Sequence, residues 1–378
     1  MKAEHHNNTL KIILFFIGNF TISFVTLVIT IFSVNYLFGA SYALNKTYNI
    51  FSTINAESSD FEIAASKAVD SYSTQEFTLG SLIDKEFDGT NFLLGDILKE
   101  NEAYKEYYIT YVGGGVKISG IMNVPHGEGP FPLLILNHGY INPSVYTNGR
   151  GLRREQDYLA RSGFVVLHPD YRNHADSTPD NRAEVSLSTL YTEDVINAVV
   201  SVLEAQLPFI DESKIGMLGY SMGGGITLNA ISVVPDLVDA AVLYAPVSGN
   251  YENIYNRWAV DSEDAKIVEE KYGTIDENPE FWKGLSSETF YDRITIPTMF
   301  HQGDNDDEIP LFWTDDTVDI LENKNKDVTY HLYPNGPHEF VNEWKLFMER
   351  TVQFFREKMY INDDTDVVVD SEFIRNVR

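Results

Sequence analysis

The sequence predicts an α/β fold built on a mainly parallel β-sheet with helices on both faces. Between residues 102 and 360, short apolar runs typical of buried strands alternate with longer segments of helical spacing. Parallel strands joined by crossover helices produce this alternation. A serine boxed between glycines follows one of these strands and precedes an apolar helix. With 378 residues, 43% of them hydrophobic, the chain is long enough for one large core and additional segments.

The chain ahead of this region has a different composition. No charged residue lies between Lys11 and Lys46, and residues 12–38 are mostly Ile, Leu, Phe and Val. About 20 apolar residues span a bilayer as a helix, so we expect residues 12–38 to be an uncleaved transmembrane signal anchor. The alternative is a cleaved signal peptide and a secreted protein, although a signal's apolar core is only about 7–15 residues long. The lysine bias ahead of the segment predicts a short cytoplasmic tail at residues 1–11 and an extracytoplasmic domain at the cell membrane.

The elements of the main domain follow in chain order. Two β-rich runs around Gly113-Gly114-Gly115 predict a hairpin, and the later strands and helices follow from apolar runs and helical spacing. Strands are expected at residues 107–111, 116–124, 132–137, 163–168, 214–218, 238–244, 295–301 and 327–333. Helices are expected at residues 150–161, 189–205, 311–322 and 341–358.

Three segments lie outside this alternation. Residues 39–101 are polar and mildly amphipathic, and we expect a stalk that becomes the edge of the domain. Residues 250–292 are polar, aromatic and helix-like, which predicts a lid-like insertion over the site. Residues 361–378 form an acidic and then mixed C-terminal tail. The domain that carries the chemistry is therefore expected at residues 102–360.

Charge and cysteine content exclude several kinds of partner and chemistry. Lysine and arginine number 28 against 56 acidic residues, so the net charge is −28, which argues against nucleic acid and anionic headgroups. Cysteine is absent, so no disulfide, thiolate metal site or cysteine nucleophile is available. No metal-binding or phosphate-loop spacing occurs, and we expect neither a metal nor a cofactor. The oligomeric state does not follow from the sequence.

The segment Gly219-Tyr220-Ser221-Met222-Gly223 is the main chemical signal. A serine at a strand–turn–helix junction flanked by glycines matches a nucleophile elbow, in which the serine stands exposed near the helix N-terminus. The alternative is a glycine-rich turn with a solvated serine. A backbone N–H pair must also hold the oxyanion of an acyl transfer, and we expect it from Met222 and from Tyr140 after the early strand.

A serine nucleophile needs a histidine base and a carboxylate in the chain order Ser, Asp or Glu, His. Among the histidines His338 fits best, because His331 lies within a strand and His301 precedes the acid. Among the crowded acids Asp304, Asp306, Asp307 and Glu308, spacing favours Asp306. Both loops follow strand ends, which meet in one crevice of an open parallel sheet. The segment from His168 to Arg172 is expected to be structural, with Asp170 and Arg172 pairing or bracing their loop.

Several motifs resemble the α/β-hydrolase superfamily, in particular the catalytic domain of the prolyl oligopeptidase (S9) and dienelactone hydrolase group, over about residues 104–358. They are the strand ending at His138-Gly139-Tyr140, the loop from Asp170 to Ser177, the segment from Ile210 to Gly224, and Gly303-x-x-Asp306-x-x-Ile-Pro310. The resemblance implies Asp306 as acid and His338 as base. Asn173 and Ala175 replace the family's usual glycines. The β-propeller and amine-holding glutamates of S9 exopeptidases have no evident counterpart upstream.

These observations together predict a membrane-anchored, outward-facing serine hydrolase. It would cleave a small ester or peptide substrate through Ser221, His338 and Asp306 and an acyl-enzyme intermediate. Esterase and peptidase activities both remain open. The alternative from another class is a catalytically inactive hydrolase fold that serves as a surface binding module.

Overall fold

A computed structural model of the chain describes residues 77–260 and 262–360. The predicted anchor, the cytoplasmic tail, most of the stalk and the C-terminal tail lie outside these residues. Within them, none of the helices combines the length and apolar character that a membrane span requires.

The described residues form one nine-stranded β-sheet. Its strands are β1 Thr90–Glu100, β2 Tyr104–Gly113, β3 Val116–Pro125, β4 Phe131–Asn137, β5 Val165–Pro169, β6 Ile210–Tyr220, β7 Ala240–Tyr244, β8 Thr298–Gly303 and β9 Val328–Tyr333. The spatial order is β1-β2-β3-β5-β4-β6-β7-β8-β9. Pairing is antiparallel from β1 to β5 and parallel from β5 through β4 to β9. The predicted mainly parallel sheet is therefore confirmed.

Helices cover both faces of this sheet. They are α1 Leu79–Ile83, α2 Arg153–Arg161, α3 Arg182–Val185, α4 Thr189–Ala205, α5 Met222–Val233, α6 Tyr251–Ile254, α7 Glu263–Tyr272, α8 Pro279–Leu285, α9 Leu311–Asn323 and α10 Trp344–Lys358. Short 3₁₀ helices span Pro143–Val145 and Ser287–Arg293, and a π-helical turn spans Tyr255–Ala259.

Alternating side chains of the strands build a separate core on each face, because successive residues of a strand point to opposite sides. In β4, Leu133 and Ile135 belong to the core that α4 and α5 cover. Their neighbours Leu134 and Leu136 belong to the core that α2 and α10 cover. This two-faced burial explains why the strands appear in the sequence as continuous apolar runs.

One strand differs from the sequence prediction. Residues 90–100, assigned to a stalk and domain edge, form β1 and pair antiparallel with β2. The strand does lie at the edge of the sheet. Its register shifts at several points, and Leu93, Ile97 and Leu98 on it are exposed, so the sequence lacks the regular alternation by which a strand is recognised.

The predicted insertion, residues 250–292, is helical and has a small core of its own. Tyr255, Val268, Tyr272, Phe281 and Trp282 pack there. Phe77 and Leu190 join this cluster from outside the insertion. The helix-like character expected of this segment is therefore present in its described residues, while its position over the site stays a prediction.

Candidate active site

Ser221 occupies a sharp turn between strand β6 and helix α5. Its φ and ψ are +55° and −119°, a region that non-glycine residues rarely adopt. A Cβ atom on Gly219 would lie 2.2 Å from the carbonyl oxygen of Gly223, so only glycine permits this approach of strand and helix. The local sequence therefore forces the backbone into a strained elbow with the serine at its tip.

The backbone of Ser221 is held by the neighbouring strand β7 and the loop that follows it. Its N–H donates to the Tyr244 carbonyl at 3.0 Å, and its carbonyl accepts from the Val247 N–H at 3.2 Å. Its side chain makes no capping hydrogen bond to helix α5. The hydroxyl is therefore not used to cap the helix and remains available to react.

The structure brings Asp306 and His338 into direct contact. Asp306 follows β8, His338 follows β9, and the Nδ1 of His338 lies 2.8 Å from Oδ2 of Asp306. Because an ionised carboxylate only accepts hydrogen bonds, the proton of this bond sits on Nδ1. In the neutral ring, a proton on Nδ1 leaves Nε2 as the nitrogen that can accept a proton, which is the form a general base needs.

The Asp306 side chain is fully buried and receives four hydrogen bonds. Gln302 and His338 donate to Oδ2, and the backbone N–H groups of Glu308 and Ile309 donate to Oδ1. Burial raises the pKa of this carboxyl, but the His338 ring and the other donors outweigh it and hold the pKa below its usual value. Asp306 is thus a charged, rigidly held partner for the imidazole.

The neighbouring acids point elsewhere. Asp304, Asp307 and Glu308 are all exposed. The Asp304 carboxylate accepts the backbone N–H of Asn335 and so braces the histidine-bearing loop from outside. Asp306, the acid that the sequence spacing favoured, is therefore the one carboxylate of this loop that contacts a histidine.

The ring of His338 packs on Tyr220, the residue before Ser221, with the ring centroids 4.9 Å apart. Only 14% of its side chain is exposed. Among the described residues no hydrogen bond joins the Ser221 hydroxyl to the His338 ring. Such bonds are often long in enzymes without bound substrate and shorten in the reacting complex. Of the other histidines considered, His301 is buried and its Nδ1 contacts the Tyr333 hydroxyl at 2.8 Å, away from the acid.

The two predicted oxyanion donors flank the elbow. A Cβ on Gly139 would lie 3.2 Å from Cβ of Ser221, which places the loop after β4 directly against the serine. Tyr140 follows in that loop, and Met222 is the first residue of α5. Within the described chain, neither backbone N–H has a backbone acceptor. Both are therefore free to donate, and the helix dipole adds positive potential at the same point.

A buried stack of rings supports the loop after β4. His138 stacks on Tyr171 and Tyr146 with centroids 4.2 and 4.8 Å apart, and burial lowers the pKa of His138 to about 4. The ring is therefore neutral at physiological pH and acts as packing. The sequence singled out His138 only as part of a loop motif, since stacking between separate loops leaves no local signal.

Of the two expected arrangements for Asp170 and Arg172, pairing or bracing of their loop, the structure has the second: the two side chains do not pair with each other, and both brace the loop. Asp170 accepts hydrogen bonds from Ser119, Tyr146, Asn148 and the Gly149 N–H. Arg172 is completely buried and instead binds Asp180, Glu193 and Asp194. Tyr171 between them has a φ of +67°, so the chain turns there and the two side chains reach different partners.

A strained serine elbow and a histidine–aspartate pair, all at the carboxyl ends of parallel strands, define the α/β-hydrolase class. The prolyl oligopeptidase family (Peptidase_S9) matches residues 150–361, more than half of the chain. The chain therefore belongs to this family. The matched residues include Ser221, Asp306 and His338.

Individual proteins show similarity at low identity. The chain is 26% identical to dipeptidyl aminopeptidase BIII of Pseudoxanthomonas mexicana over 219 residues, 56% of this chain and only 31% of that peptidase. It is 25% identical to esterase EstD of Thermotoga maritima over 316 residues, 71% of this chain and 74% of that esterase. Acetyl xylan esterase 1 from a Thermoanaerobacterium species has the same fold, with a TM-score of 0.55 at 18% identity over 75% of this chain and 93% of that one.

Proposed function

We propose that this protein is a serine hydrolase in which Ser221, His338 and Asp306 act as nucleophile, base and orienting acid. The observation that carries the proposal is the 2.8 Å contact between His338 and buried Asp306, beside a serine with φ of +55°. An intact constellation of this kind disfavours an inactive binding module, since a binding role would not preserve a strained, uncapped serine.

The proposed reaction has two halves. Nε2 of His338 takes the hydroxyl proton while Ser221 Oγ bonds to the acyl carbon, and the N–H groups of Tyr140 and Met222 hold the oxyanion. His338 then returns the proton to the leaving alcohol or amine as its bond to the acyl carbon breaks, which leaves an acyl-enzyme. A water molecule repeats these steps and releases the acid and free Ser221.

The proposed substrates are small esters, with peptide or other amide bonds as the competing class. The esterases named above match this chain over most of their own length, whereas the dipeptidyl aminopeptidase matches over 31% of its length. This difference favours the ester class. Family membership alone does not decide the substrate, because one fold carries many specificities.

The test combines labelling with two substrate sets. A fluorophosphonate probe should label the wild-type chain at Ser221, and Ser221→Ala should abolish the labelling. p-Nitrophenyl acyl esters should be turned over faster than aminoacyl p-nitroanilides. Faster cleavage of the anilides would indicate that the protein is a peptidase and not an esterase. Absence of labelling and of both activities in folded protein would contradict the proposal and favour the binding module.

We also propose that the protein is a single-pass membrane protein with its hydrolase domain outside the cytoplasm. The support comes from the charge-free apolar residues 12–38 and the lysines ahead of them. The protein should stay with membranes in alkaline carbonate, and protease added to intact cells should remove the hydrolase domain. A soluble chain beginning near Leu44 would instead identify residues 12–38 as a cleaved signal peptide.

A further inference from the structure

Gln302 is a buried polar side chain that takes no part in the proposed proton transfers. It is the penultimate residue of β8, four positions before Asp306, and it is 0% exposed. Its Nε2 lies 2.9 Å from Oδ2 of Asp306, the oxygen that also accepts from His338. The same nitrogen lies 3.3 Å from the Gly303 carbonyl. A neutral amide thus shares the oxygen on which the orientation of His338 depends.

The chemistry of the neighbours determines which way this amide points. The Asp306 carboxylate can only accept, so the NH₂ end of Gln302 must face it. The Oε1 end then faces Thr314 on α9, whose hydroxyl lies 3.0 Å away and must donate. Thr314 is 1% exposed, so no solvent competes for this bond. The hydroxyl of Thr314 therefore satisfies the amide oxygen in the orientation that the Asp306 carboxylate requires.

We infer that Gln302 and Thr314 form a positioning relay that holds the Asp306 carboxylate in place for His338. Gln302 donates to the carboxylate, and the Thr314 hydroxyl anchors the carbonyl end of the same amide. Neither side chain contacts the reacting atoms. This inference rests on the proposed function, because the relay affects catalysis only if Asp306 orients His338 for Ser221.

The relay should affect the pH dependence of activity, whereas a purely structural role in packing should not. Without the Gln302 donor, the negative charge on Oδ2 is less delocalised over hydrogen bonds and attracts the imidazolium form of the histidine more strongly. Activity that requires a neutral base would then begin at higher pH. The acid limb of the pH–rate profile should therefore move to higher pH, while substrate binding stays the same.

The matched variants are Thr314→Val and Thr317→Val, made in the full chain. Both threonines are buried on α9, but the Thr317 hydroxyl donates to the Trp313 carbonyl of its own helix. The same change at two positions of one helix separates the relay from general packing. Thr314→Ser keeps the hydroxyl and should restore function, and Gln302→Leu removes the donor itself. The readouts are the rate of fluorophosphonate labelling and p-nitrophenyl acetate turnover, both as functions of pH, with melting temperature as the folding check.

We expect Gln302→Leu to lower kcat and the labelling rate about tenfold, which is less than the full contribution of a positioned acid–base group. KM should change less than about twofold. Thr314→Val should lower them roughly threefold to tenfold and move the acid limb to higher pH, while Thr314→Ser and Thr317→Val should resemble the wild type. Equal losses in Thr314→Val and Thr317→Val, or folded Thr314→Val and Gln302→Leu variants with wild-type rates and pH profiles, would overturn the relay. These results leave wild-type labelling at Ser221 intact, whereas failure of the proposed function would remove that labelling.

Discussion

Replacing Asp306 by asparagine tests the proposed triad most directly, because the side chain keeps its shape and loses its charge. Oδ1 faces two backbone N–H groups, from Glu308 and Ile309, that cannot turn away. The new NH₂ must therefore take the Oδ2 side, where it meets Nδ1 of His338. The histidine can accept that NH₂ only by moving its own proton to Nε2. In that tautomer it cannot take the proton of Ser221.

The expected loss in kcat is about 10³ to 10⁴, the size associated with a wrong histidine tautomer in a serine triad. At about 1.36 kcal/mol per factor of ten, this is roughly 4–5.5 kcal/mol of lost transition-state stabilisation. The assay is p-nitrophenyl acetate turnover, with the fluorophosphonate labelling rate as a substrate-independent check and melting temperature as the folding control. KM should change little, since Asp306 is buried beneath the histidine.

The matched controls are Asp304→Asn and Asp307→Asn in the same loop. Both side chains are exposed, and an asparagine at 304 keeps an oxygen for the Asn335 N–H. We expect each control to keep kcat within about threefold, as is usual for surface changes. A large loss of kcat in Asp304→Asn together with a small loss in Asp306→Asn would refute the assignment of the acid in this loop, although the fold would be unaffected.

Four further predictions follow from the same structure. Ser221→Ala and His338→Ala should each reduce kcat by several orders of magnitude, and the double variant by little more, which single-turnover kinetics can measure. Gly219→Ala should prevent accumulation of folded protein, because its Cβ would lie 2.2 Å from a backbone carbonyl; circular dichroism and solubility check this. Arg172→Met should cost about 3–5 kcal/mol in urea unfolding, since it leaves the buried Asp194 carboxylate without a cationic partner and removes one of the partners of Asp180 and Glu193. Shortening the insertion at residues 250–292 should alter preference among acyl chain lengths in an ester panel more than turnover of p-nitrophenyl acetate.

The sequence predicted the strands of the parallel part well because both faces of the sheet are buried. Such strands are continuous apolar runs, and β4 and β7 were recognised in this way. Strand β1 was missed because adjacent apolar residues such as Leu93 and Leu94 obscure its alternation, and its irregular pairing with β2 is a tertiary property. Edge strands with shifting register carry too little pattern to be found from spacing.

The residues of the candidate site could be predicted where a local sequence motif identifies them. The glycines around Ser221 mark a backbone requirement, and the order Ser, Asp, His limits the partners. Gln302 and His138 were not predicted to support the site. The Gln302 amide is held by Thr314, twelve positions away on the next helix, and the His138 ring stacks on aromatic rings from separate loops. Contacts of this kind depend on how the elements pack, and no spacing along the chain encodes them.

The insertion and the acid loop are physically joined, which limits how far substrate choice can change without affecting turnover. Arg257 of the π-helical turn donates to the Asp307 carbonyl at 2.9 Å, one residue after Asp306. Its guanidinium lies 5.4 Å from the ring centroid of Trp258 and 6.0 Å from that of Trp313, at the start of α9. Because α9 also carries Thr314, whose hydroxyl holds Gln302, a change at this turn can also affect the support of the Asp306 carboxylate. Deletions confined to α7 and α8 should therefore alter selectivity with the least effect on the chemistry.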